Sequence, residues 1–297
     1  MRAAPSLLVS FLLLAGFCGS VRADDLSPLL DDETYGVVRI DLERLDLTRI
    51  GPWLVDRYKA SGFGNNAARQ RAFDNAIDIE RLTPVAVALR AQGARRLYMV
   101  FSTRQLGQEW PFLFAVNVDP AAGKRIDDQT RLLGLVSTRA GAWLFVGQPE
   151  GVKAMAGFKP TDRRDLQHAL ALAREGTVVA AISIGMLARE QFDALIVPPD
   201  EFTNAEIGAV IGGFKSAVAV LNLPPNFAAG LRVETTDDVS ADTYASLLKQ
   251  VRQSLESDAS WRGALARTLD VKRKGRVFTV EVDTATLDRV LGGVKAK

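Results

Sequence analysis

The chain has 297 residues, with 37 Lys and Arg against 35 Asp and Glu, a single His and a single Cys. So balanced a charge gives no basis for a global affinity for nucleic acid, and one Cys excludes a disulfide framework or a cysteine-ligated metal. Hydrophobic residues make up 47% of the chain, enough for one large core or two of ordinary size.

The N-terminus has a pattern of its own. Arg2 precedes an apolar run from Leu7 to Gly16, and Val21-Arg22-Ala23 precedes Asp24, the small-residue exit that signal peptidase accepts. Residues 1–23 are expected to be a signal peptide, sending the rest to the periplasm or outside the cell. Lipoprotein processing at Cys18 is the main competitor, although the bulky Phe17 directly before it does not suit that cleavage. An uncleaved anchor is the other, and it would need ~20 apolar residues where this run has about half as many. No transmembrane span is expected in the mature chain. Cleavage would remove Arg2, Arg22 and Cys18, leaving 35 basic and 35 acidic residues and no thiol.

After an acidic lead-in, Tyr35 to Asp41 alternates apolar and polar residues as a half-wet strand does, with Asp41 placed to cap a following helix. Mainly helical sequence follows, broken at Gly51-Pro52 and at Ser61 to Asn66. Arg96 to Phe101 and Pro111 to Asp119 read as a hairpin, and a short helical piece spans Asp127 to Leu133. Gly134 to Thr138 and Ala142 to Val146 read as a strand pair turning at Ala140-Gly141, and a short helix opens at Gln148-Pro149-Glu150. Thr161 to Arg174 is an amphipathic helix with Leu166, Ala169, Leu170 and Ala173 on one face and Gly176 as a stop.

From Val178 to Ser183 the order starts again: a strand, two helical stretches parted by Pro198-Pro199 with Asp200 as cap, and a hairpin from Lys215 to Glu234 turning through Pro224-Pro225. The helix Ser240 to Glu256 follows, with Tyr244, Leu247, Leu248, Val251 and Leu255 at helical spacing. Thr268 to Lys272 and Arg276 to Asp283 form a closing strand pair, and Thr284 to Leu291 a last helix, so that Val282-Asp283 before Leu287 echoes Ile40-Asp41 before Leu45. The expected fold is α+β: two tandem similar modules at 24–160 and 161–297, with helix 161–175 as connector, each a mainly antiparallel sheet of about five strands with helices on one face.

Motifs that could carry chemistry are sparse. Gly62-Phe63-Gly64-Asn65-Asn66-Ala67 fits a dinucleotide fingerprint but lacks the strand that must feed it. Ser246-Leu247-Leu248-Lys249 fits S-x-x-K, yet Leu247, Leu248 and Val251 set the expected buried face and turn Ser246 and Lys249 to water. His168 falls opposite the Leu166/Leu170 stripe, so it is expected at the surface. Lys272-Arg273-Lys274 with Arg276, and Arg95-Arg96, could grip anionic groups or simply protect strand edges. Asp127-Asp128 and Asp237-Asp238 lack the calcium-loop spacing. Ile207 to Phe214 is apolar and glycine-rich, suited to a cavity wall or to close packing. No catalytic, cofactor-binding or metal-ligating residue is therefore assigned, and no cofactor is expected.

The exported leader followed by Val37-Val38-Arg39-Ile40-Asp41-Leu42 and on to Leu45 resembles uncharacterised exported bacterial proteins classed as domains of unknown function. The resemblance implies the two-module α+β arrangement and brings no site residues. The expected function is a non-enzymatic binding or structural protein of the cell envelope, with a protein or envelope polymer as partner. The alternatives are a carrier of lipid or another apolar ligand and a carboxylate-based glycan hydrolase, which needs only two acids.

Overall fold

The computed structural model describes residues 26–60, 86–105, 112–119, 124–155 except 125, 129, 132 and 133, 158–173, 176–184, 204–223, 227–256 and 261–292. Its strands are β1 (Thr34–Asp41), β2 (Arg96–Ser102), β3 (Leu113–Asn117), β4 (Val136–Ala140), β5 (Trp143–Gly147), β6 (Val178–Ile182), β7 (Phe214–Asn222), β8 (Ala228–Thr235), β9 (Val271–Lys274) and β10 (Val277–Asp283). The helices are α1 (Leu47–Ala60), α2 (Pro149–Ala154), α3 (Arg164–Leu172), α4 (Asn204–Gly213), α5 (Asp238–Glu256), α6 (Trp261–Thr268) and α7 (Thr284–Gly292), with further helical residues at 86–91 and within 124–131.

The strands form one antiparallel sheet of ten, in the order β4-β5-β3-β2-β1-β6-β7-β8-β10-β9. Two sheets of about five strands are thus not what the chain builds. β1 pairs with β6 from Gly36↔Ile182 to Ile40↔Val178 and makes the sheet continuous across the middle. Counted outward from that seam, both sides follow the same order of first, second, third, fifth and fourth strand. Tight turns close the outer hairpins at Gly141 and Gly275, both at positive φ of about 60°, a conformation that glycine adopts without a Cβ penalty.

Strand alternation sends successive side chains to opposite faces. On the front face Val38, Ile40, Val116, Leu144, Val146, Val178, Ala180 and Leu221 form a core with Ile50 of α1, Ala86, Leu89 and Ile126. Farther out on the same face, the Tyr244 ring of α5 lies 6.1 Å from Phe278, and Leu287 of α7 packs against this core. On the back face Val37, Tyr98, Val100, Leu113, Ala115, Trp143, Phe145, Val179 and Ala181 meet Leu26, Leu29 and Leu30 and the expected stripe of α3: Leu166, Ala169, Leu170 and Ala173. Helices therefore cover both faces at the centre of the sheet, not one.

Local capping differs from expectation at one end and agrees at the other. Asp41 accepts from the Glu43 amide at 3.0 Å and shapes a turn, while Asp46 accepts from the Thr48 amide at 3.1 Å at the head of α1. Asp283 caps α7 through the Thr286 amide at 2.7 Å.

Candidate binding surface

The back face changes character across the seam. Toward β4 its side chains are apolar and buried, ending in Trp143 and Phe145. Toward β9 only β7 continues the apolar surface, with Val218 and Val220. The register then sets Arg232 and Thr279 beside Val218, with Lys272 next to Thr279, and Gly230 and Glu281 beside Val220. β9 is exposed along its whole length.

The boundary is built by the end of α3. Arg39, pointing backward from β1, donates from Nη2 to the carbonyls of Ala173 and Gly176, both at 3.3 Å, closing a helix end whose last carbonyls have no partner inside the helix. Gly176 is needed there because a Cβ would stand 2.5 Å from Val220 Cγ1 and 2.9 Å from Val179 Cγ2. The chain thus leaves α3 pressed against β6 and β7. Past Ala173, a shallow groove of about 170 Å³ has Val218, Val220 and Gly230 as its floor and Arg232, Thr279 and Glu281 along its side.

Charges of both signs surround the groove. Lys215 meets Glu234 at 2.7 Å, Arg232 lies 3.9 Å from the same carboxylate, and Lys272 lies 3.9 Å from Glu281. The hydrogen bond from Lys215, together with the Lys215, Arg232 and His168 charges, holds Glu234 below the usual carboxylate range despite partial burial. The groove thus has an apolar floor inside a rim carrying charges of both signs.

A second groove, of about 380 Å³, is lined by residues 43–48 with Ala86, Val87 and Arg90. Its two basic groups are engaged by their own chain, Arg44 lying 3.7 Å from Asp41 and Arg90 donating to the Leu45 carbonyl, and its Glu43 is met from outside the groove by Arg95 at 3.5 Å. The Arg44 Nη1 is buried and has no hydrogen-bond partner, so it does not face the groove's solvent.

A polar assembly lies at one end of the seam, with Arg163 and Asp31 buried and Asp165, Arg104 and Glu33 partly exposed. Arg163 donates to Asp165 at 2.9 and 2.7 Å, and to the carbonyls of Asp31, Thr34 and Ser183. Arg104 bridges Asp31 at 3.2 Å and Glu33 at 3.0 Å. Burial alone would raise Asp165, but hydrogen bonds from Arg163 and Ser183 with the Arg163 charge hold it below its ordinary value. Arg104 serves both Asp31 and Glu33 while Arg163 serves Asp165, which makes the cluster a clasp between β1, β6 and the segment leading into α3.

The residues singled out in the sequence are dispersed. His168 is exposed on α3, and its charge contributes at Glu234. Ser246 and Lys249 are exposed on α5 beside the buried Leu247; Leu248, expected in the core, is 39% exposed. The basic hairpin is largely occupied by its own chain: Arg273 meets Asp242 at 2.8 Å and lies over the Phe278 ring, and Arg276 lies 3.6 Å from Asp238. Arg96 is buried. Asp127 pairs with Arg131 at 3.1 Å, and Asp237 caps α5 through the Ser240 amide at 2.7 Å. Ile207 to Gly213 falls in α4, which leads directly into β7 at Phe214. The fingerprint at 62–67 and the cap at Asp200 lie outside the described residues. Among the described residues no group of three or more His, Cys, Asp and Glu could hold a metal ion, and no helix is long and apolar enough to cross a membrane.

What sequence reading missed is the back-facing set Val218, Val220, Gly230, Arg232, Thr279 and Glu281. The alternation of β7, β8 and β10 contained it, but only the cross-strand register shows that these positions are neighbours.

No family model matches the sequence, and no curated protein matches it. Among solved structures, the one titled "Structure of crystal form I of TP0453" is similar over 92% of this chain and 99% of that one, with 9% sequence identity and a TM-score of 0.38. Likeness at that level assigns neither a family nor a function.

Proposed function

We infer that the chain is an exported, non-enzymatic binding protein of the cell envelope, made of two tandem copies of one α+β module joined edge to edge. The identical strand order outward from the seam supports the duplication. The observation that carries the binding reading is the groove on the back face of the second half, open among the described residues, where Val218, Val220 and Gly230 form an apolar floor within a charged rim. A partner protein or envelope polymer would lie there. Every described carboxyl with a resolved shift is held down, namely Asp46, Asp165, Glu234, Asp237 and Asp283. A glycosidase needs the opposite shift in its general acid. A carrier enclosing lipid between two sheets has little to draw on, because the ten strands form one sheet.

The test is site-specific photo-crosslinking in the cells that make the protein. A photoreactive residue at Thr279 should give discrete adducts that are absent when the same residue replaces Ser246 on α5. Equal adducts at both positions, or none at either, would overturn the reading. Stoichiometric lipid in organic extracts of natively purified protein would favour the carrier instead.

A further inference from the structure

Among the described residues, two buried side-chain atoms without a hydrogen-bond partner belong to one place in the fold: Thr177 Oγ1 and Arg44 Nη1. Both adjoin Asp41, at the end of the seam away from the clasp. The Asp41 amide donates to the Thr177 carbonyl at 2.6 Å, continuing the ladder past Ile40↔Val178. Side chains opposite each other in such a pair have Cβ atoms about 4.5–5.5 Å apart. Arg44 Nε lies 3.7 Å from Asp41 Oδ2, beyond hydrogen-bond reach, while Asp41 Oδ1 takes the Glu43 amide at 3.0 Å. Thr177 is fully buried and Asp41 is 7% exposed, so bulk solvent does not complete these valences.

The clasp end of the seam shows the same position completed by protein. There the Ser183 amide donates to the Tyr35 carbonyl at 2.9 Å, the counterpart of the bond between Asp41 and Thr177. Ser183 Oγ donates to the Lys215 carbonyl at 3.1 Å, and the Ser183 carbonyl receives Arg163 at 3.3 Å. Nothing comparable reaches the Thr177 hydroxyl. A buried polar group left unpaired costs more than an ordinary hydrogen bond gains, and a buried water is typically held by about three such groups. The three groups here are complementary: Arg44 only donates, the Asp41 carboxylate only accepts, and the Thr177 hydroxyl does either.

We propose that one buried water joins the Thr177 hydroxyl, the Arg44 guanidinium and the Asp41 carboxylate, and pins β1 to β6 at this end of the seam. It accepts from Arg44 Nη1, donates to Asp41 Oδ2, and uses its remaining hydrogen or lone pair on Thr177 Oγ1. A polar contact longer than a hydrogen bond, such as that between Arg44 and Asp41, is where a bridging water belongs. The site is independent of the binding surface on the second back face.

Thr177→Val keeps the side chain's shape and deletes its hydroxyl, and the sign of the effect decides. A hydroxyl bonded to a held water predicts a lower urea midpoint, with the Asp41 amide exchanging its hydrogen roughly tenfold faster. An unpaired hydroxyl predicts a midpoint unchanged or raised, because an unsatisfied polar atom has been removed; that result overturns the proposal. Crystals of the parent protein grown in bromide give a test that does not depend on the variant. One water peak within hydrogen-bond distance of Thr177 Oγ1, Arg44 Nη1 and Asp41 Oδ2 is expected. An anomalous bromide peak at that position, or no density there, overturns the proposal.

Discussion

β5 and β10 occupy the same place in the strand order on either side of the seam, yet they treat the back face in opposite ways. β5 presents Trp143 and Phe145 to a roof made by α3 and residues 26–30, whereas β10 presents half-buried Thr279 and exposed Glu281 along the side of the groove. The same contrast runs through the third strands, with Leu113 and Ala115 on β3 against Gly230 and Arg232 on β8. One sheet thus has one back face in two chemical states. Where described residues cover the face it has apolar side chains to bury, and where none of them does it has polar ones around a small apolar strip.

Substitution at matched positions breaks this comparison most directly. Phe145→Ala should cost about 3–5 kcal/mol, as removal of a buried aromatic does, while Thr279→Ala should stay within about 0.5 kcal/mol, as at ordinary surface sites. Urea unfolding of both variants checks this, and similar costs would mean that the second back face is as covered as the first.

The glycines give a smaller effect of opposite sign. Gly176→Ala forces a Cβ against Val220 and Val179 and should cost about 1–3 kcal/mol. Gly230→Ala enters open space and should be neutral or stabilise by up to about 1 kcal/mol, chiefly through the unfolded chain. Thermal unfolding of the pair would separate them.

The smallest effect concerns pH and the clasp at the end of the seam. The carboxyl of Asp165 is held below its ordinary value in the folded state, so its contribution is present above its unfolded pKa of about 3.9 and is lost as pH falls through the lower folded value. Stability measured from pH 7 down to 3 should drop less steeply for Asp165→Asn than for the parent, with the variant already weaker at pH 7. An unchanged slope would show that the clasp does not depend on that charge.

Much of this architecture was legible in the sequence. Glycines at the outer turns and the Leu166, Ala169, Leu170 and Ala173 stripe follow from local pattern, and the structure buries that stripe as expected; the alternation of Val38 and Ile40 with Arg39 and Asp41 pointed to one wet face, but β1 is central in the sheet and Val37 and Asp41 are buried as well. The seam was not legible, because the pairing of Val38 with Ala180 joins strands 142 residues apart and leaves no local trace. Helix α6 was missed because its buried contact uses Gly263 and Ala264, residues too small to register as an apolar stripe. Leu248 was misplaced because spacing alone does not fix how wide the buried face of α5 is. The candidate surface was hidden for a related reason: half-burial in β8 is visible in its alternation, but which side another segment covers depends on distant chain.

Accessibility of Thr279 in its native setting tests the central claim most directly. On a Cys18→Ala background, Thr279→Cys in the purified protein should react with a soluble maleimide as fast as Lys249→Cys, an exposed control on α5. If the proposed partner covers the second back face, Thr279→Cys in intact cells should be slowed at least tenfold relative to that control. Equal rates at the two positions in cells would contradict the account.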